Sequence, residues 1–283
     1  MRILITGARG MLGMDLEKRL SISNNVIGVD IDDFDITDKE GALREIKSIS
    51  PDIVINTAAF TDVDACETER YKAFKVNRDG VRNVALGCKE TSAKLIHIST
   101  DYVFDGVRRE PYREDDEPHS INNYGQSKLE GEREILKLHT SDPRLQTLIV
   151  RTSWLFGKNG KNFIDTILRL SDEKDELRVV NDQVGSPTYT VDLSDAIESL
   201  INVGAKGIVH CSNSGECSWY DYAKEIIKIK MKENINIIPI TSKDSKRPAT
   251  RPAYSVLSNE MYFHLTGHRM RNWKDGLWDY LNA

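Results

Sequence analysis

The sequence predicts an α/β fold: a doubly wound parallel sheet with a smaller C-terminal substrate-binding region. Three observations carry this. Short runs rich in Val and Ile recur with amphipathic stretches between them, glycines cluster directly behind the first run, and the alternation loosens after Arg151. Runs that are apolar on both faces suit strands buried between two layers of helices.

In chain order, "RILIT" (2–6) reads as the first strand and "MLGMDLEKRL" (11–20) as the first helix, its apolar residues at helical spacing. "NVIGVD" (25–30) is the second strand, and "DKEGALREIKSI" (38–49) the helix that returns from it. "DIVINTAA" (52–59) and a long helical segment from about 64 to 89 follow. "KLIHIST" (94–100), the helix "YGQSKLEGEREILKL" (124–138) and "QTLIVRTS" (146–153) complete the alternation. Beyond lie aromatic and glycine-rich pieces such as "SWLFGKNGKNF" and "SNSGECSWYDYA". The expected division is 1–151 as a dinucleotide-binding domain, joined by about 188–203 because "VDLSDAIESLI" (191–201) reads as a helix returning to it. Residues 152–283 form the mainly substrate-binding, discontinuous remainder.

Composition narrows the partners. Thirty-nine basic against 44 acidic residues leave a net charge of −5, which gives no reason to expect nucleic acid or an anionic membrane. A small molecule is the expected ligand. No apolar run is long enough for a signal peptide or a membrane span, so a soluble cytoplasmic protein is expected. Cys66, Cys88, Cys211 and Cys217 make no CxxC pair and read as reduced, mostly buried thiols. His264 and His268 in "HLTGH" have ligand-like spacing, but Gly267 weakens the helix and no metal site is expected there.

The first strand runs straight into "TGARGMLG", with Gly7, Gly10 and Gly13 at three-residue spacing before a helix. Glycines in that place allow a tight turn and let backbone amides approach a diphosphate, while the helix N-terminus supplies partial positive charge. Asp30 ends the second strand, where a carboxylate can bond a ribose hydroxyl. This is the Rossmann arrangement, and it calls for NADH or NADPH. Asp30 leans slightly toward NADH; Arg9, inside the glycine loop, is either a partner for a 2′-phosphate or an ordinary solvated side chain.

A tyrosine and a lysine four residues apart recur three times: Tyr71/Lys75, Tyr124/Lys128 and Tyr220/Lys224. Only the middle pair opens a helix between the fourth and fifth strands, where the strand end "STD" can face the same ligand. Reducing a ketone needs a hydride at carbon and a proton at oxygen. A phenol is a sensible acid, and a nearby ammonium is expected to lower its pKa from about 10. Thr100, or failing that Ser99, would hold the substrate oxygen. Arg247 and Arg251 in "KRPATRP" either grip a diphosphate or belong to a charged surface loop. Asn77 either supports the lysine through a water or caps a turn.

These residues together resemble the extended short-chain dehydrogenase/reductase family, and within it the dTDP-4-dehydrorhamnose reductases. The likeness covers nearly the whole chain, through "GARGMLG", "DIVINTAAFTDVDACE", "KVNRDG", "STDYVFDG", "NNYGQSKLEGE", "RTSWLFG", "DQVGSPT" and "RPAYSVL". It implies NAD(P)H-dependent reduction of the C4 keto group of dTDP-4-dehydro-L-rhamnose to dTDP-L-rhamnose, with Tyr124 as proton donor, Lys128 as its partner and Thr100 on the sugar carbonyl. It also implies a cofactor lying against Gly10, Met11 and Leu12, with Asp30 at the adenosine ribose and Ala58, Ala59 and Phe60 over its middle. Asp101 and Trp154 would touch the nucleotide sugar. Dehydratases of the same superfamily carry a glutamate where this chain has Tyr102, so plain reduction is favoured. Metal-bridged homodimers occur in the family; Asp15 is the single matching candidate here, and bound Mg²⁺ is not relied on. The alternatives are a non-catalytic subunit resembling the regulatory partner of methionine adenosyltransferase, and a reductase of another nucleotide 4-keto sugar.

Overall fold

In this computed structural model, which describes residues 1–232 and 234–282, six strands form one parallel sheet. They are β1 (Arg2–Thr6), β2 (Asn25–Val29), β3 (Ile53–Asn56), β4 (Lys94–Thr100), β5 (Thr147–Thr152) and the Gly207–His210 strand. Across the sheet the order is Gly207–His210, β5, β4, β3, β1, β2. The chain therefore steps outward from β1 to β2 and then returns to the other side of β1, which puts a topological switch point between β1 and β3. A crevice opens there at the carboxyl ends of the strands. The sixth strand is absent from the sequence reading: "GIVH" is only four residues long and begins at a glycine, too short for a periodicity signal.

Both faces of the sheet are covered, which accounts for the unbroken apolar runs. Along β1, Ile3 and Ile5 face one layer, with Leu12 and Leu16 of α1 (Met11–Leu20) and Ile197 and Leu200 of the Thr190–Asn202 helix. Leu4 points the other way, into a core with Ile46 of α2 (Lys39–Ile49), Val84 and Cys88 of the Val81–Thr91 helix and Ile135 of the Asn123–Ser141 helix. Each such buried Leu or Ile stabilises the fold by about 1.5–3 kcal/mol relative to exposure. A third core, built on Phe156, Ile164, Tyr222, Trp273 and Leu277, gathers the helices Phe163–Glu173, Trp219–Ile229 and Trp273–Asn282.

The segment expected as one helix over 64–89 is broken into Ala65–Thr68, Arg70–Phe74, a π-helical turn Lys75–Gly80, and Val81–Thr91. The widened turn carries the buried Asn77, whose amide reaches across to other elements. It accepts from Phe60 N at 2.8 Å and donates to Phe60 O at 3.0 Å and to Ser127 Oγ at 2.9 Å. Asn77 thus ties the loop after β3 to the Asn123–Ser141 helix, at the residue next to Lys128. Gly267 ends the Glu260–Thr266 helix at φ +74°, so His268 lies outside it. All four cysteines are free and buried.

Candidate active site

One cavity of about 1370 Å³ lies along the carboxyl ends of β1, β3, β4 and β5. A pocket for a single drug-sized ligand is about 300–1,000 Å³. This one has room for a dinucleotide and a second ligand. Gly7, Gly10, Met11, Leu12, Gly13, Asp30, Ala58, Ala59, Phe60, Thr100, Asp101, Tyr124, Lys128 and Trp154 all line it.

At one end the recognition surface is backbone. Gly7 turns at φ +72°, and a Cβ there would lie 2.7 Å from Ala58 N; a Cβ on Gly13 would lie 2.4 Å from Gly7 O. The first glycine therefore makes the turn, and the third lets α1 pack onto the loop. Gly10 is the N-cap of α1 and offers no side chain to the first-turn amides, which leaves Met11, Leu12 and Gly13 N–H groups for a diphosphate. Asp30 is held by Arg9 N at 2.9 Å and Ile31 N at 2.8 Å. Arg9 is exposed and turned to Asp32 at 2.5 Å and Asp33 at 3.6 Å. These residues fit a nicotinamide dinucleotide: uncapped amides at the turn, a fixed carboxylate at the ribose position, and glycine at 7, 10 and 13.

At the centre, Asn122 caps the Asn123–Ser141 helix by accepting from Gly125 N at 2.8 Å, which places Tyr124 in its first turn and Lys128 one turn on. Gly125 and Gly131 let that helix press against its neighbours, since added Cβ atoms would lie 2.0 Å from Tyr102 O and 2.2 Å from Asn77 O. One turn beyond Lys128, the buried Glu132 takes a bidentate pair from Arg151 at 3.0 and 2.7 Å and a hydrogen bond from Ser99. Ser99 is thereby committed to Glu132 and leaves Thr100 as the hydroxyl at the site.

Burial is the largest influence on the Tyr124 phenol. It pushes that phenol well above its usual range, Thr100 pulls it back, and Asp101 adds to the rise. Lys128 Nζ donates to Ile98 O at 2.6 Å and meets His97 Nε2 at 3.4 Å. Burial lowers Lys128 to about 8, against a raising influence from Glu132. Asp101 is also buried, and burial raises it to about 7. Its Oδ1 accepts from Thr100 Oγ1 at 3.0 Å, while Oδ2 is buried without a partner, as is Thr152 Oγ1. Asp101 and Thr152 both line the cavity, and hydrogen bonds from Ser255 and Thr100 draw the Asp101 carboxyl back down against burial.

The other two Tyr/Lys pairs lie off the cavity; Tyr71 is 80 % exposed, and Lys224 sits over the Tyr220 ring at 5.3 Å. At the far end Trp154, at φ +45°, stacks on Trp219 with centroids 3.5 Å apart and planes at 4°. Gly185 packs against that indole, where a Cβ would lie 2.4 Å from Cε2. Sequence reasoning missed Trp219, Arg178 and Lys72, which also line the cavity. No local motif marks them; only the fold brings them in. Arg247 and Arg251 both line it and both bond Asp64, at 3.0 and 2.9 Å, with Arg251 the more buried. Asp15 accepts from Thr190 Oγ1. Among the described residues no group of three or more His, Cys, Asp and Glu could hold a metal, and no helix is long and apolar enough to cross a membrane.

A doubly wound sheet with a glycine-rich first turn, a cleft for two ligands and a buried Tyr–Lys pair defines a nicotinamide-dependent oxidoreductase. Comparison with known proteins makes this specific. The chain belongs to the RmlD substrate binding domain family, whose model matches residues 1–283. It is 43% identical over 281 residues to the spore coat polysaccharide biosynthesis protein SpsK of Bacillus subtilis (strain 168), covering 99% of this chain and 96% of that one. It is 37% identical to a dTDP-4-keto-6-deoxy-D-glucose reductase of Streptomyces niveus, covering 98% and 95%. The crystal structure of dTDP-4-dehydrorhamnose reductase from Bacillus anthracis, in complex with NADP, superposes with a TM-score of 0.94 at 41% identity, covering 99% of this chain and 98% of that one.

Proposed function

We propose that this enzyme reduces the C4 keto group of dTDP-4-dehydro-L-rhamnose to give dTDP-L-rhamnose, with Tyr124 as the proton donor. The observation that carries the reading is the meeting of Tyr124, Lys128, Thr100 and Asp101 on one cavity large enough for both ligands. The chemistry a bound reduced nicotinamide supplies is a hydride for the carbonyl carbon. Tyr124, held neutral by burial, gives its proton to the carbonyl oxygen as negative charge grows there. Thr100 orients that oxygen. Lys128, fixed by the Ile98 carbonyl, supports the tyrosinate as it forms and offers an N–H to the cofactor ribose. Asp101 bonds a sugar hydroxyl, Trp154 packs on the ring, and Arg251 serves the diphosphate.

NADH is the favoured cofactor. Asp30, Asp32 and Asp33 make the rim at the ribose acidic, and Arg9 is already engaged by two of them. The enzyme works as a soluble cytosolic protein on a small nucleotide sugar. A related reading, reduction of a different dTDP-4-keto-6-deoxy sugar, is favoured by the likeness to the Streptomyces niveus enzyme. The test is cofactor oxidation with each 4-keto sugar nucleotide, NADH against NADPH, wild type beside Tyr124→Phe. Turnover should fall by about 10²–10⁴-fold in the variant with cofactor affinity nearly intact. An undiminished rate in Tyr124→Phe would remove the proton-donor role. Binding without oxidation in the wild type would point to the non-catalytic alternative.

A further inference from the structure

The interior of the sheet carries a polar rung that the mechanism above does not use. Thr6 of β1, Asn56 of β3 and His97 of β4 stand directly opposite one another in register across three adjacent strands. All three are buried: Thr6 is 1% exposed, Asn56 and His97 0%. Thr6 Oγ1 bonds Asn56 Oδ1 at 2.7 Å, Asn56 Nδ2 lies 3.2 Å from His97 Nδ1, and His97 Nε2 lies 3.4 Å from Lys128 Nζ. The rung before it is Ile5, Ile55 and Ile96. A rung needed only for the fold would be apolar like its neighbours, because buried amide, hydroxyl and imidazole groups are costly unless every one is bonded.

We propose that His97 is a positioning residue for Lys128: with the Ile98 carbonyl it holds two of the three ammonium N–H groups from the β4 side and aims the third into the cavity. Donor accounting supports this. An ammonium has three donors and no acceptor, so Nε2 must accept, and a neutral imidazole with its proton on Nδ1 does so. Burial and the Lys128 charge hold His97 well below its ordinary range and keep it neutral. Asn56 then turns its carbonyl oxygen to Nδ1–H and its amide N–H to Thr6 Oγ1. With Lys128 uncharged the amide faces the way it does here, Oδ1 to Thr6 and Nδ2 to His97, so the rung has one orientation for each charge state of the lysine. The other titratable groups around Lys128 are Tyr124 and Glu132 on its own helix, the latter paired with Arg151 of β5, and Asp101 on the turn after β4. Asn77 on the Lys75–Gly80 turn packed against that helix is neutral. None of these replaces the acceptor on the β4 side.

The proposal rests on Lys128 belonging to the reacting pair, and the experiment separates the two. Wild type, His97→Leu and His97→Gln are assayed over pH with the 4-keto sugar nucleotide. Leu fills the space without an acceptor; the Gln carbonyl restores one. His97→Leu should lose about 10- to 100-fold in kcat with KM for the sugar nucleotide unchanged. The alkaline limb of its pH profile should move down by about one pH unit, because the ammonium has lost a partner. His97→Gln should recover most of the rate and return the limb. Wild-type kcat and pH profile in His97→Leu would overturn the proposal, as would a His97→Gln enzyme impaired as badly as His97→Leu. If His97→Leu does not fold, the double variant Asn56→Leu/His97→Leu, which leaves no orphaned amide, should fold and show the same loss. Failure of both to fold would make the rung a stability element and also overturn the proposal. An inactive wild type would instead sink the functional reading itself.

Discussion

The two ends of the cavity recognise ligands by different means. At the β1–β2 end the surface is mainly main chain: a glycine turn, uncapped amides of α1, and a carboxylate fixed by two further amides. At the Trp154–Trp219 end it brings together bulky residues of the loop after β5, the Glu176–Val180 strand, the Trp219–Ile229 helix and the loop at 246–252. A backbone surface tolerates little change because any Cβ intrudes on it. A side-chain surface can be rebuilt without disturbing the sheet, which suits relatives named as reductases of different dTDP sugars.

The sharpest break of that comparison is Gly13→Val. Its branches would meet Gly7 O and Ala8, both main chain. Dinucleotide affinity measured by fluorescence titration should fall by more than about 100-fold; a loss of only a few-fold would mean that the turn is not rigid.

Next is Lys128→Met, at the boundary of the two regions. Turnover should drop by about 100-fold or more, yet the protein should become more stable at pH 7. The sign follows from burial. Lys128 titrates at about 8 when folded, against 10.5 for its ordinary value, so the unfolded chain holds the extra proton between those pH values. The penalty is complete below pH 8 and fades as pH rises to 10.5. The stability gain, of order 2–3 kcal/mol or roughly 5 °C, should therefore vanish across the same window in thermal unfolding scans. A gain independent of pH would assign it to packing instead.

Trp219→Ala tests the side-chain end. With Trp154 unstacked and Phe163, 4.6 Å away, left without its neighbour, KM for the nucleotide sugar should rise about tenfold. Stability should fall by about 2 kcal/mol, and cofactor affinity should stay within about twofold. A parallel loss of cofactor binding would show that the two ends are coupled. The smallest effect is expected from Asp32→Asn, which loosens Arg9 at an exposed site. The ratio of kcat/KM for NADPH to that for NADH should rise only about two- to fivefold, and an unchanged ratio would separate Arg9 from cofactor choice.

Much of the first end was legible in the sequence because its determinants are local. "TGARGMLG" encodes a turn, and its spacing alone says where amides are exposed. "RILIT" and "MLGMDLEKRL" coincide with β1 and α1 because periodicities of two and 3.6 are properties of the segment itself. The reading failed where a long-range partner overrode local pattern. Asn77 bends the stretch over 64–89 for the sake of Phe60 and Ser127. Lys128 is held from the β4 side by the Ile98 carbonyl, a contact that no local pattern announces.

The sequence by itself determined the alternation of strands and helices, the glycine turn after β1 and the one-turn spacing of Tyr124 and Lys128, because hydrophobic period, glycine dihedrals and helical spacing act over a few residues. The tertiary structure alone decided that Trp219 lies flat on Trp154, that Arg251 meets Asp64 across 187 residues of chain, and that Thr6, Asn56 and His97 align behind Lys128. Those contacts depend on strand register and on the order reversal at β1. They are set by burying both faces of the whole sheet at once and leave no periodic trace in any one segment.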